Sequence, residues 1–279
     1  MTDTKLSRYS SLIFLAICFG FSWLLFLPNV LADSALTTTG LLAARILASF
    51  GPALAAIAAV WVREGKSSVT RLFKSAVDFS GKGRWILAAV LIAVLAILVP
   101  LVFLVYTRGL SLAPITASSW LRLLPDFILS LLLFGSIADE IGWRGYLLPS
   151  LQQSCTAFSA SLIIGLLWGL WQMPTYFFQG VIEFHLSPAW LIIETIALSI
   201  ILTWLYNSSK SLAVTIVFNG VFRTLTQFFM PLMEVTNNAV QFQQLYSGVL
   251  VNAALIILLF CGGKTLVFSY QPRRSGDRR

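Results

Sequence analysis

The chain has 279 residues, 58% hydrophobic and only 11% charged, with a formal net charge of +8 and a mean hydropathy of +0.85. A soluble domain carries roughly 25% charged residues, so this composition excludes a soluble enzyme. It points to an all-α, polytopic membrane helix bundle, in which lipid accepts apolar side chains on every outward face.

A spanning helix needs about 20 mainly apolar residues, because the hydrocarbon core is roughly 30 Å thick. Eight stretches qualify: 10–31, 41–62, 85–106, 120–137, 157–178, 189–206, 212–229 and 247–268. The first follows Lys5 and Arg8 but is too long for a signal-peptide core and lacks a small-residue cleavage site, so it reads as a retained anchor. The loop 63–84 is the longest polar connection, and 69–76 within it is a candidate interfacial helix. No internal repeat stands out, and residues 1–279 read as one integral membrane domain.

The positive charges are topological. Lys5, Arg8, Arg63, Lys66, Arg71, Lys74, Lys82, Arg84, Lys210 and the tail of Arg273, Arg274, Arg278 and Arg279 fall on one set of alternating loops. The other set carries Asp33, Arg108, Glu183 and Glu234. The positive-inside rule then puts both termini, including the basic tail 270–279, in the cytoplasm. The expected location is a bacterial cytoplasmic membrane. Membrane lipids are the expected partners and nucleic acid is not. Cys18, Cys155 and Cys261 have no metal-like spacing, and no disulfide is expected.

Charges at membrane depth are costly and therefore mark function or bundle contacts. Three groups stand out. In the run from Ser136 to Leu147, Glu140 and Arg144 are four apart, acid before base, the favourable order on one helix face. Asp139 is turned about 100° from Glu140, toward a neighbouring helix. In the second group, Trp168, Trp171, Gln172 and Pro174, the proline should kink its helix near Leu170. The two tryptophans suit an interfacial belt, whereas a buried Gln172 needs partners. In the third group, Asn219 and Arg223 share a face well inside an apolar stretch. Asp139, Glu140 and Glu194 are the candidate counter-ions of Arg223. Arg45 and Asp126 read as structural charges.

These groups, in this order, resemble the CPBP family of intramembrane metalloproteases, which includes the CAAX prenyl proteases and the Abi-type membrane proteins. Asp139-Glu140-x-x-x-Arg144-Gly145 resembles its Glu-Glu-x-x-x-Arg motif. Trp168-x-x-x-Gln172-x-Pro174 keeps the frame of its second motif, with glutamine in place of histidine, and Asn219-x-x-x-Arg223 stands where the family has His-x-x-x-Asn. Phe50-Gly51-Pro52-Ala53-Leu54-Ala55-Ala56, Glu64-Gly65 and Arg84-Trp85 extend the likeness, giving a family-like core of about 50–230. The resemblance implies a glutamate that activates a metal-bound water, two histidines that place the metal, and an asparagine for the oxyanion. It also implies cleavage near the cytoplasmic face, often of a prenylated peptide.

The site residues implied are Asp139, Glu140, Arg144, Gln172, Asn219 and Arg223. Both histidine positions are substituted, and the chain's one histidine, His185, falls in an expected external loop. Zinc favours imidazole, thiolate and carboxylate, whereas amide oxygens suit harder ions. Asp139 and Glu140 against Arg144 and Arg223 balance without a metal. The expectation is therefore no cofactor, with zinc or another divalent ion only if the site is active. Three functions fit these residues: a degenerate homologue that binds membrane-embedded or prenylated peptides or acts in bacteriocin-type immunity, an active metallo-endopeptidase with an unusual metal site, or a transporter or channel.

Overall fold

A computed structural model describes residues 3–31, 36–178 and 186–268. His185, Asp33, Glu183 and the basic tail lie outside the described residues. The apolar stretches form helices because a bilayer offers their backbone groups no other hydrogen-bond partners. Among the described residues seven are long and apolar enough to cross a membrane, or eight where the bent pair 117–132 and 136–151 counts as one span.

In chain order, α1 (Asp3–Val30) leads into α2 (Thr38–Ala48), whose first turn is capped by the Thr37 hydroxyl accepting from the Gly40 amide at 3.2 Å. The chain breaks at Ser49 and resumes as α3 (Gly51–Glu64), with Pro52 in its first turn. The second expected span is thus two stacked helices rather than one. A short amphipathic helix, α4 (Lys66–Ala76), follows, and then α5 (Gly83–Arg108). α6 (Ala117–Leu121) and α7 (Leu123–Leu132) descend to a break at 133–135. Beyond it run α8 (Ser136–Glu140), a π-helical turn (Ile141–Leu147) and α9 (Leu148–Leu151), bent by 42° from the preceding segment. α10 (Ala157–Gln172) passes into a 3-10 turn (Met173–Phe177), followed by α11 (Pro188–Ser209), α12 (Leu212–Val235) and α13 (Ala239–Cys261).

Three expectations need correction. The fourth span does not end near Asp139. Gly135, at φ +92°, turns the chain in a conformation that side chains disfavour, and helix resumes at Ser136 and continues to Leu151, so Asp139 lies in the first turn after the break, buried inside the bundle. Pro174 does not kink α10 near Leu170. It begins the tighter 3-10 turn, where its missing amide hydrogen costs little. The last span starts eight residues earlier than expected, at Ala239, and stops at Cys261.

Hydrogen bonds stitch the two ends of the bundle. At the end that carries α4, Lys82 donates to the Ser209 carbonyl (2.7 Å), Ser211 to the Asp78 carbonyl (3.1 Å) and Asn207 to the Thr265 carbonyl (2.8 Å). At the opposite end, Arg45 bonds Asn29 and lies over the Phe178 ring, while Gln243 accepts from the Ser187 amide at 3.0 Å and donates to Tyr176 at 2.9 Å. α12 sits centrally, against α5, α7, α8 and α11.

Candidate functional site

The break after α7 decides where the site stands. Ser49, at the matching break between α2 and α3, donates to the Leu133 carbonyl at 3.0 Å, so the two interruptions hold each other inside the membrane domain. Gly142 allows the π-helical turn to press on α3. A Cβ there would come within 2.5 Å of the Pro52 Cβ and 2.8 Å of the Pro52 carbonyl. A π-turn holds an extra residue in the helix, a device frequent at functional sites.

Asp139, Glu140 and Arg144 are completely buried on this segment. Arg144 Nη1 donates to Glu140 Oε1 at 3.2 Å, and the same oxygen accepts from Asn219 Nδ2 at 3.0 Å. Arg223 Nη2 donates to Asp139 Oδ2 at 2.9 Å, while its Nη1 donates to the Phe134 carbonyl at 2.8 Å. Arg223 starts about 16 Å along α12, eleven residues beyond Leu212 at 1.5 Å each. Two carboxylates and two guanidinium groups therefore form two ion pairs, and α12 supplies a partner to each acid. Of the three candidate counter-ions of Arg223, Asp139 makes the direct bond.

Glu194 is also buried, but it accepts from the Tyr246 hydroxyl at 3.1 Å and lines a cavity that it shares with Arg223. That cavity holds about 370 Å³ and is lined by Gln172, Asn219 and Arg223 together with Arg45, Glu194 and aromatic side chains. Phe26, Leu42, Phe178 and Met230 mark its other walls, all from helix ends remote from α4. The cavity thus extends from the ion pairs toward the end of the bundle opposite the basic loop. Gln172 stands on its wall rather than in the ion-pair cluster.

The tryptophans do not form an interfacial belt. Trp168 and Trp171 are buried. Trp168 lies beneath Arg144, its ring centre 4.8 Å from the guanidinium carbon, and Trp171 meets Trp143 edge-on at 6.3 Å. A desolvated cation–π contact contributes about 2 kcal/mol, and here it covers one face of a completely buried guanidinium. Sequence reasoning missed this role. The signal was present, since Trp168 opens the second of the three motifs, four residues before Gln172. Ser49 was also missed, because a lone serine at a helix break carries no pattern.

Several polar atoms in the cluster have no hydrogen-bond partner among the described residues: Asp139 Oδ1, Glu140 Oε2, Arg144 Nε and Nη2, and the indole nitrogens of Trp143, Trp168 and Trp171. Buried polar groups of this kind are ordinarily met by ordered water.

The donor set does not fit the zinc that the resemblance implies. Among the described residues, no three histidine, cysteine or acidic side chains converge. One oxygen of each carboxylate is engaged by a guanidinium, and the Asn219 amide turns a donor, not its oxygen, toward Glu140. A cation placed between the acids would meet positive charge from two directions.

Residues 120–225 match the family model described as type II CAAX prenyl endopeptidase Rce1-like. A CAAX prenyl protease 2 of Methanococcus maripaludis is 29% identical over 144 residues, which cover 48% of this chain and 51% of that protein. The chain thus spans about half the length of the curated relative it matches. The matched segment contains all six site residues and the whole bent pair except its first three residues.

Proposed function

Because this chain belongs to the CAAX protease-like (CPBP) family of membrane proteins, we propose that it keeps the family's intramembrane cavity but uses it to bind rather than to cleave. The observation that carries this reading is the Asp139–Arg223 pair. A fixed guanidinium supplies the positive charge that a metal would otherwise bring to two buried carboxylates. The occupant we assign is a membrane-embedded or lipid-modified peptide segment. Its apolar part would contact Phe26, Phe178 and Met230, and its polar backbone groups would meet Gln172, Asn219 and Arg223, all of which line the cavity. Binding of this kind suits a sequestering or immunity role. Both termini lie in the cytoplasm in this reading, which places the cavity mouth toward the external leaflet.

One observation favours a second reading. Asp139 Oδ1 and Glu140 Oε2 are acceptors without protein partners, and two such oxygens suit a hard divalent ion better than zinc. Elemental analysis of the purified protein beside an Asp139→Asn, Glu140→Gln double variant separates the two. Binding without a metal predicts equal, substoichiometric metal in both. About one metal per chain in the parent, absent from the variant, would overturn it in favour of a metal-assisted hydrolase.

A further inference from the structure

We propose that α4 is a binding surface for anionic phospholipid headgroups, and that its occupancy sets the position of the π-helical turn carrying Arg144. This inference is independent of whether the cavity binds or cleaves.

The sequence of α4 has three distinct faces. Ser68, Leu72 and Ala76, four residues apart, are buried against the bundle. Val69, Phe73 and Val77 follow the same spacing one step round the helix. Phe73 and Val77 are exposed, although both are apolar. Arg71 and Lys74 are exposed on the remaining arc, and Lys66, also exposed, opens the helix beside the Phe73 flank. A helix lying in a membrane interface has this division, with one flank among acyl chains and another among headgroups.

Charge complementarity names the occupant. Residues 63–84 hold six cations, Arg63, Lys66, Arg71, Lys74, Lys82 and Arg84, and two acids, Glu64 and Asp78, for a net charge of +4. Each juxtamembrane cation gains about 1 kcal/mol near an anionic leaflet. Exposed Trp61, Val62 and Phe79 extend the apolar rim on either side of α4.

The link to the site is direct packing. Leu72 lies against Gly145, one residue after Arg144. A Cβ on Gly145 would approach Leu72 Cδ1 to 2.6 Å and Leu212 Cδ1 to 3.2 Å. The π-turn is therefore pinned between α4 and the start of α12, whose next turns carry Asn219 and Arg223. Lipid that holds α4 down presses Leu72 onto this seam, adding to the hold that the buried Ser68, Leu72 and Ala76 and the half-buried Val69 already give α4.

The test uses the full chain in nanodiscs of neutral phosphatidylcholine, with or without phosphatidylglycerol, and reads amide hydrogen exchange of 141–147. Phosphatidylglycerol is expected to slow exchange there by at least about threefold, the size of a modest shift in a local opening equilibrium. The Lys66→Gln, Arg71→Gln, Lys74→Gln variant should lose that protection. A Lys210→Gln, Lys264→Gln variant, changed at two exposed cations of the same end of the bundle, should keep it. Leu72→Ala should still enrich phosphatidylglycerol in lipid co-purification yet lose the protection at 141–147. Equal exchange in both membranes, equal loss in both charge variants, or the same protection from millimolar inorganic phosphate in the neutral membrane would each overturn the proposal.

Discussion

Replacing Arg223 by alanine tests the central electrostatic argument. The substitution removes the 2.9 Å bond to Asp139 and the 2.8 Å bond to the Phe134 carbonyl. Asp139 is fully buried, whereas the Arg223 side chain is 24% exposed toward the cavity. Breaking a buried pair from one side costs about 3–5 kcal/mol, because the remaining charge has no compensation. The opening to the cavity sets the expectation at the low end, about 3 kcal/mol. For a chain of this size that corresponds to a fall in Tm of roughly 6–12 °C. Thermal unfolding in detergent, followed by intrinsic tryptophan fluorescence, provides the measurement. Adding Asp139→Asn to Arg223→Ala removes the orphaned charge and should recover about 2 kcal/mol. A Tm within 2 °C of the parent for Arg223→Ala, or a double variant no more stable than the single one, would refute the claim that Arg223 neutralises the site.

Other outcomes follow from the same geometry. Gly142→Ala drives a methyl group into the Pro52 backbone, and overpacking of this sort should cost about 1–3 kcal/mol. Gly20→Ala, with nothing within 4 Å of the new Cβ, should be neutral or slightly stabilising in the same unfolding assay. Trp168→Leu removes the ring beneath Arg144 and should lower stability by about 2 kcal/mol; an unchanged Tm would mean that the stacking contributes nothing. Restoring histidine at both substituted positions, Gln172→His with Asn219→His, should not by itself create a zinc site, because Arg223 still faces the acids. Adding Arg223→Asn removes that positive charge and should raise bound zinc above the level of the double variant by elemental analysis. Equal zinc in the double and triple variants would show that the guanidinium does not exclude the metal.

The polytopic helix bundle was legible in the sequence because the bilayer imposes a single length requirement on every spanning helix. The Glu140–Arg144 pair was legible too, since a spacing of four places two side chains on one helical face, and the π-turn does not separate them. The internal position of Asp139 was not. Hydropathy falls at the polar run after Phe134, which reads as a helix end, yet the chain bends at Gly135 and continues, because neighbouring helices supply the partners that lipid cannot. The tryptophans were misread for a related reason. Composition cannot tell a ring at the headgroup level from one packed under a buried arginine.

The three motifs lie on α8 with its π-turn, on α10 and on α12, and the sequence separates the first and last by about 80 residues. Their residue types fixed the chemistry available: two acids, two guanidinium groups and two amides. The tertiary structure alone decided that Arg223 meets Asp139, that Asn219 meets Glu140 and that Gln172 faces the cavity instead. Local spacing governs contacts within a helix, whereas contacts between helices depend on how packed faces rotate and slide until buried charges find partners, a condition that no single segment contains.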